Sequence, residues 1–121
     1  MTIRQYVGND IVIIEPIGPL IRETVADFSQ AVSRRVEAGW SRLIVDLHQV
    51  VCLDSAGLGA LVHAVTSARH LAARIVLVRV SGRNRDLLTT NLAAVFEVFD
   101  STAAAERSLV RSDAAAAGPR W

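Results

Sequence analysis

The residues best placed to do chemistry lie together in Val51-Cys52-Leu53-Asp54-Ser55-Ala56-Gly57-Leu58-Gly59, where an apolar, strand-like run gives way to polar turn residues and then to a helical pattern. Asp54 and Ser55 each carry a side-chain oxygen able to accept a hydrogen bond from an N–H that the first helical turn leaves unpaired. The same helix start has free N–H groups and the positive end of the macrodipole, a setting that favours a negative charge such as a phosphoryl group. Ser55 thus reads in two ways: as a cap, and as a hydroxyl on which chemistry occurs.

Three chemistries can be weighed against the cap. A dinucleotide turn needs G-x-G-x-x-G after a strand, and Gly57-Leu58-Gly59 is followed by Val62 where the third glycine belongs. A nucleophile elbow needs G-x-S-x-G, and Leu53 stands at the first glycine. It also needs a base oriented by an acid. His63 and His70 lie along the helix that Ser55 begins, and His48, seven residues upstream, has no acid that sequence can assign to it. For a metal, the histidines lack short-range ligand spacing: His63 and His70 would sit roughly 10 Å apart along a helix. Asp46 and Asp54 read as turn and capping residues. Cys52, the single cysteine, reads as a small buried hydrophobe. No catalytic residue, metal or cofactor is implied.

The elements that must position this stretch follow from periodicity. Thr2 to Val7 and Ile11 to Ile14 are β-rich runs around Gly8-Asn9 and predict a hairpin, with Pro16 to Pro19 stopping its second strand. From Thr24, Val25, Phe28, Val32 and Val36 share one helical stripe that Gly39 ends. Leu43 to Leu47 predicts a strand buried on both faces. After Ser55, Leu58, Leu61, Val62, Val65 and Ala68 or Leu71 keep helical spacing, and Ile75 to Val80 forms the next strand. A strand-helix-strand unit of this length implies a parallel, right-handed crossover. A short helix over Arg83 to Thr90 capped by Asn91, a strand over Val95 to Phe99, and a helix from Ser101 or Thr102 to about Arg111 anchored by Leu109 and Val110 complete the pattern. Residues 112–121 are expected to be a flexible tail after a single domain over 1–111.

Composition limits the partners. All thirteen basic residues are arginines, and with twelve acids the net charge is +1. That balance argues against direct nucleic-acid binding, which needs a concentrated basic patch. Arg34-Arg35 and Arg83/Arg85 read as solvated faces. No apolar run reaches the roughly 18 residues of a membrane span, and no export signal is recognisable, so the expected location is cytoplasmic, without membrane insertion.

Leu43-Ile44-Val45-Asp46-Leu47, Val50 and Leu53-Asp54-Ser55-Ala56-Gly57-Leu58-Gly59-Ala60-Leu61 together resemble the signature of STAS domains, in particular the bacterial anti-sigma factor antagonists, and the order of elements matches over roughly residues 3–111. The resemblance implies an α/β fold: a mixed, mostly parallel sheet of four or five strands with about four helices largely on one side. It implies a non-enzymatic switch in which Ser55 is phosphorylated by a partner anti-sigma factor that is itself an ATP-binding serine kinase, with Asp54, Ser55, Ala56, Gly57 and Leu58 forming the partner-binding surface. It leaves the oligomeric state between monomer and weak dimer. STAS-like domains also serve as accessory parts of transporters and signalling assemblies, a second reading without a switch. The chain departs from the family pattern at Gly18-Pro19-Leu20-Ile21, where the family usually has Gly-x-Leu-Asp, and at Thr90-Asn91-Leu92, where it has Thr/Ser-Gly-Leu.

Overall fold

A computed structural model describes residues 1–85 and 95–117. Its single five-stranded sheet has the order β1-β2-β3-β4-β5, with β1 (Thr2–Gly8), β2 (Ile11–Ile17), β3 (Arg42–Asp46), β4 (Arg74–Val78) and β5 (Val98–Phe99). The β1–β2 pair is antiparallel and the other pairs are parallel. The long helices are α1 (Val25–Glu37), α2 (Ser55–His70) and α3 (Thr102–Ala117).

The hairpin turns at Asn9 and Asp10, one residue later than Gly8-Asn9 suggests. Both have positive φ, 55° and 62°, and Gly8 pairs with Ile11. This is the geometry of a two-residue primed turn, which Asn and Asp tolerate and which matches strand twist. Pro16 does not stop β2. It pairs with Ile3 on the β1 side, while the ladder to β3 covers Val12 to Ile14, so its missing N–H falls beyond the end of that ladder. The turn comes at Gly18, with φ of 108°.

Both crossovers, β2-α1-β3 and β3-α2-β4, step the same way across the sheet, so right-handedness places α1 and α2 on one face. Between that face and the helices lies the larger core, including Ile14, Leu20, Phe28, Leu43, Val45, Leu61, Val65 and Leu77. Of the residues expected to anchor α2, Ala68 is buried and Leu71, just past the end of the helix, is 63% exposed. Alternate strand residues Ile11, Ile44, Val76 and Val78 face the other way, where Ala105 and Leu109 of α3 cover them. Among the described residues, long helices thus lie on both faces, two against one, and Val110, an expected anchor of α3, is exposed.

Three boundaries differ from the sequence expectation. Strand β4 ends at Val78 because Arg79 adopts a φ of 53°, and β5 spans two residues. Helix α3 continues beyond Arg111 to Ala117, through a run of alanines, the best helix former. A helical turn occupies residues 82–85, whose Asn84 side chain donates to the Val50 carbonyl at 3.1 Å. The rest of the expected short helix, with Asn91, and residues 118–121 of the expected tail lie outside the described residues.

Candidate functional site

Two connections meet at the start of α2. The segment after β2 and the segment after β3 bond to one another as a short parallel pair: Gly18 N–H donates to the Gln49 carbonyl at 3.0 Å, Val51 N–H to that of Gly18 at 3.3 Å, and Leu20 N–H to that of Cys52 at 3.0 Å. Leu20 and Leu53 form an isolated parallel bridge, and Leu20 is fully buried.

Asp54, in extended conformation, is the N-cap. Its Oδ1 accepts from Gly57 N–H at 2.8 Å and its Oδ2 from Arg22 N–H at 3.0 Å, so one carboxylate closes the first turn of α2 and ties it to the segment after β2. These two hydrogen bonds, Gly57 first, hold the carboxyl below its ordinary range against a smaller opposing effect of burial. The capping role therefore belongs to Asp54 and not to Ser55. Ser55 is the first residue of the helix, exposed, and its hydroxyl has no hydrogen-bond partner among the described residues.

The glycines that follow play unlike parts. Gly57 is buried, and a Cβ there would lie 2.0 Å from the Leu20 carbonyl oxygen and 3.2 Å from Leu53 Cδ2. Only a residue without a side chain lets the two connections approach this closely. Around Gly59 nothing lies within 4 Å of such a Cβ. Its exposed position within a helix makes Gly59→Ala an expected gain of about 0.5–1 kcal/mol, read as a raised midpoint in thermal unfolding.

Apolar residues lie on the two segments that meet at the start of α2. Val51 is 69% exposed, and Ile21, Ala56 and Leu58 are half-buried. The backbone at Ile21 is set by Thr24, whose Oγ1 accepts from Ile21 N–H at 2.9 Å and donates to the Pro19 carbonyl at 2.8 Å. Thr24 is the N-cap residue of α1 by position, but its hydroxyl knits this turn and makes no capping bond.

A second polar cluster lies on the α3 face of the sheet, at the C-terminal ends of β2, β3 and β4. Strand alternation puts Glu15 and Asp46 there, both buried, along with Tyr6, which pairs with Ile13. His48 Nδ1 is 3.1 Å from Asp46 Oδ1 and 3.2 Å from Glu15 Oε2, so His48 does have acidic neighbours, one of them 33 residues away in sequence. Tyr6 Oη lies 3.5 Å from Glu15 Oε1. Arg79 pairs with Asp46 through Nη2 and through Nε at 3.3 Å. Burial would raise the Asp46 carboxyl, but the hydrogen bonds from Arg79 and His48 outweigh it and hold the carboxyl below its ordinary range. Glu15, Asp46 and His48 offer ligand atoms within 4.8 Å of one another, and the Arg79 guanidinium already supplies a cation to Asp46. No hydrogen bond links His48 to Ser55 among the described residues. His63 and His70 are exposed on α2.

Sequence reasoning missed this cluster because it depends on the parity of two strands and on contacts across the sheet. A charged residue closing each of two strongly apolar runs, Ile11 to Glu15 and Leu43 to Asp46, was the available signal.

A family model of the STAS domain matches residues 2–105. No curated protein matches the chain. Among solved structures, the Thermotoga maritima protein TM1081, assigned as an anti-sigma factor antagonist, aligns with a TM-score of 0.82 at 23% identity over 88% of this chain and 92% of that one. The anti-sigma factor antagonist SpoIIAA in its unphosphorylated form aligns with a TM-score of 0.70 at 20% identity over 91% of this chain and 98% of its own, and the phosphorylated form of this Bacillus protein is also similar. Murine Slc26a9, an anion transporter, aligns with a TM-score of 0.67 at 20% identity over 79% of this chain and 17% of the transporter. At these identities the likeness is one of fold. Among the described residues, no helix is long and apolar enough to cross a membrane.

Proposed function

This chain belongs to the STAS domain family, and we propose that it is an anti-sigma factor antagonist in a partner-switching pathway, binding an anti-sigma factor that is also an ATP-dependent serine kinase and released from it by phosphorylation of Ser55. The observation that carries this reading is the Ser55 hydroxyl: exposed, at the first position of α2, and without a hydrogen bond among the described residues because Asp54 does the capping.

Phosphorylation at that position breaks no hydrogen bond among the described residues. It adds about −1.5 to −2 charges and three acceptor oxygens at a helix N-terminus, where the protein's own field tolerates them. A docking partner meets something different. The exposed Val51 and the half-buried Ile21, Ala56 and Leu58 shed water easily against a complementary surface, whereas a phosphate among them does not. Asp54, Ser55, Ala56 and Leu58 make the contact, and buried Gly57 holds the segment after β2 against them. The fold is unchanged while the interface fails.

Incubation with the partner kinase and ATP is expected to add one phosphate by intact mass, and Ser55→Ala to abolish the gain. No gain, or a gain that survives Ser55→Ala, overturns the proposal. Ser55→Asp is expected to bind the partner at least about 100-fold more weakly than Ser55→Ala, a penalty of about 3 kcal/mol. Equal affinities would favour the second reading, a constitutive accessory subunit of a transporter or signalling assembly.

A further inference from the structure

The two edges of the sheet are unlike. At one, β5 presents two residues. At the other, β1 presents seven, Thr2–Gly8, paired with β2 in unbroken register without a bulge or a proline of its own. Short strands, bulges, prolines and edge charges are the usual means of keeping an edge from pairing. Within β1 the single charge is Arg4, while Tyr6 and Val7 are 49% and 55% exposed.

Turn geometry fixes which backbone groups this edge offers. In a hairpin closed by a two-residue turn, the residues flanking the turn exchange both hydrogen bonds, and bonded and non-bonded pairs then alternate along the ladder. Gly8, Tyr6, Arg4 and Thr2 accordingly direct their N–H and C=O groups to β2. Val7, Gln5 and Ile3 direct theirs outward.

We propose that β1 is a homodimerisation edge, joining a second copy of this chain in an antiparallel pair centred on Gln5. In that register Gln5 faces the partner's Gln5, and Ile3 and Val7 face the partner's Val7 and Ile3. All three outward residues then bond to outward residues of the other copy, giving six backbone hydrogen bonds. The intervening non-bonded pairs, whose side chains lie closer, set Arg4 against the partner's Tyr6 and Tyr6 against the partner's Arg4. A guanidinium over a phenol ring is attractive, and the two-fold axis makes the contact twice. Neighbouring registers are poorer. Centring on Arg4 opposes two like charges, and centring on Tyr6 leaves Ile3 unpaired. The sequence Ile3-Arg4-Gln5-Tyr6-Val7 is thus complementary to its own reverse, apolar to apolar and cation to aromatic, while at the centre Gln5 contributes its backbone groups, its side-chain oxygen accepting from Arg35 Nε of α1 at 2.7 Å. Two five-stranded sheets would become one of ten strands, with both Ser55 sites retained.

Sedimentation of the full chain over concentrations up to about 1 mM is expected to show a monomer–dimer equilibrium. Amide exchange followed by NMR over the same range should slow at Ile3, Gln5 and Val7, while Arg4 and Tyr6, bonded within the hairpin, stay protected throughout. Tyr6→Lys sets a lysine against the partner's Arg4 and is expected to weaken the dimer at least tenfold. Gln5→Pro removes the central outward N–H without touching the β2 ladder and should do the same, with unchanged circular dichroism confirming the fold of each variant. A monomer at every concentration overturns the proposal. So does a dimer in which those three amides exchange as in the monomer, or one that a folded Tyr6→Lys leaves intact.

Discussion

Gly57→Ala is expected to destabilise the protein by about 3 kcal/mol, lowering its thermal midpoint by about 10 °C. The cause is a backbone collision: the new methyl group would sit 2.0 Å from the Leu20 carbonyl oxygen, and a carbonyl cannot swing aside as a flexible side chain can. Either the segment after β2 retreats, loosening the Leu20–Leu53 bridge and the Arg22–Asp54 bond, or the first turn of α2 deforms. Gly59→Ala, two residues along the same helix, carries the opposite sign. Thermal unfolding of the two variants side by side separates close packing from intrinsic helix propensity, and equal shifts would contradict the packing account.

The second large effect concerns Asp46. Asp46→Asn keeps the shape of the side chain and removes its charge, leaving Arg79 and His48 against a neutral amide. The expected loss is about 2 kcal/mol at neutral pH, the size typical of hydrogen bonds to a buried charge, moderated by the partial exposure of Arg79. The pH dependence follows from the lowered pKa. A carboxyl whose folded pKa lies below its unfolded value of about 3.8 contributes full stability above that value and loses it as pH falls through the folded one. Urea titrations across the acid range should therefore show the difference between wild type and Asp46→Asn shrinking below about pH 4. A gap that stays constant to low pH would mean that the asparagine disturbs packing instead of charge.

Much of the architecture could be read from the sequence because its signals are local. Val25, Phe28 and Val32 announce one face of a helix, and the run from Leu43 to Leu47 announces a strand covered on both sides. Asp54 and Ser55 marked the helix start that the structure has. What stayed hidden involves distance along the chain. That the second oxygen of Asp54 accepts from Arg22 N–H, 32 residues away, cannot be read from the motif itself. That Gly57 is indispensable and Gly59 is not depends on Leu20. Pro16 misled because the rule that proline ends a strand applies where a neighbouring strand needs the N–H, and β3 has already stopped pairing there.

The bonding of the 18–22 segment to the 49–57 segment makes the surface around Ser55 discontinuous in sequence. Neither piece is shaped without the other: a peptide spanning residues 50–60 keeps the serine but lacks the carbonyl over Gly57, the N–H on Asp54 and the Ile21 side chain. Closing so long a loop costs chain entropy that the sheet and α1 must first offset, so these contacts form with the tertiary structure and not before it. Anything that reads this surface reads a folded molecule, and a nascent or partly unfolded chain, though it contains every residue of the motif, presents a different object.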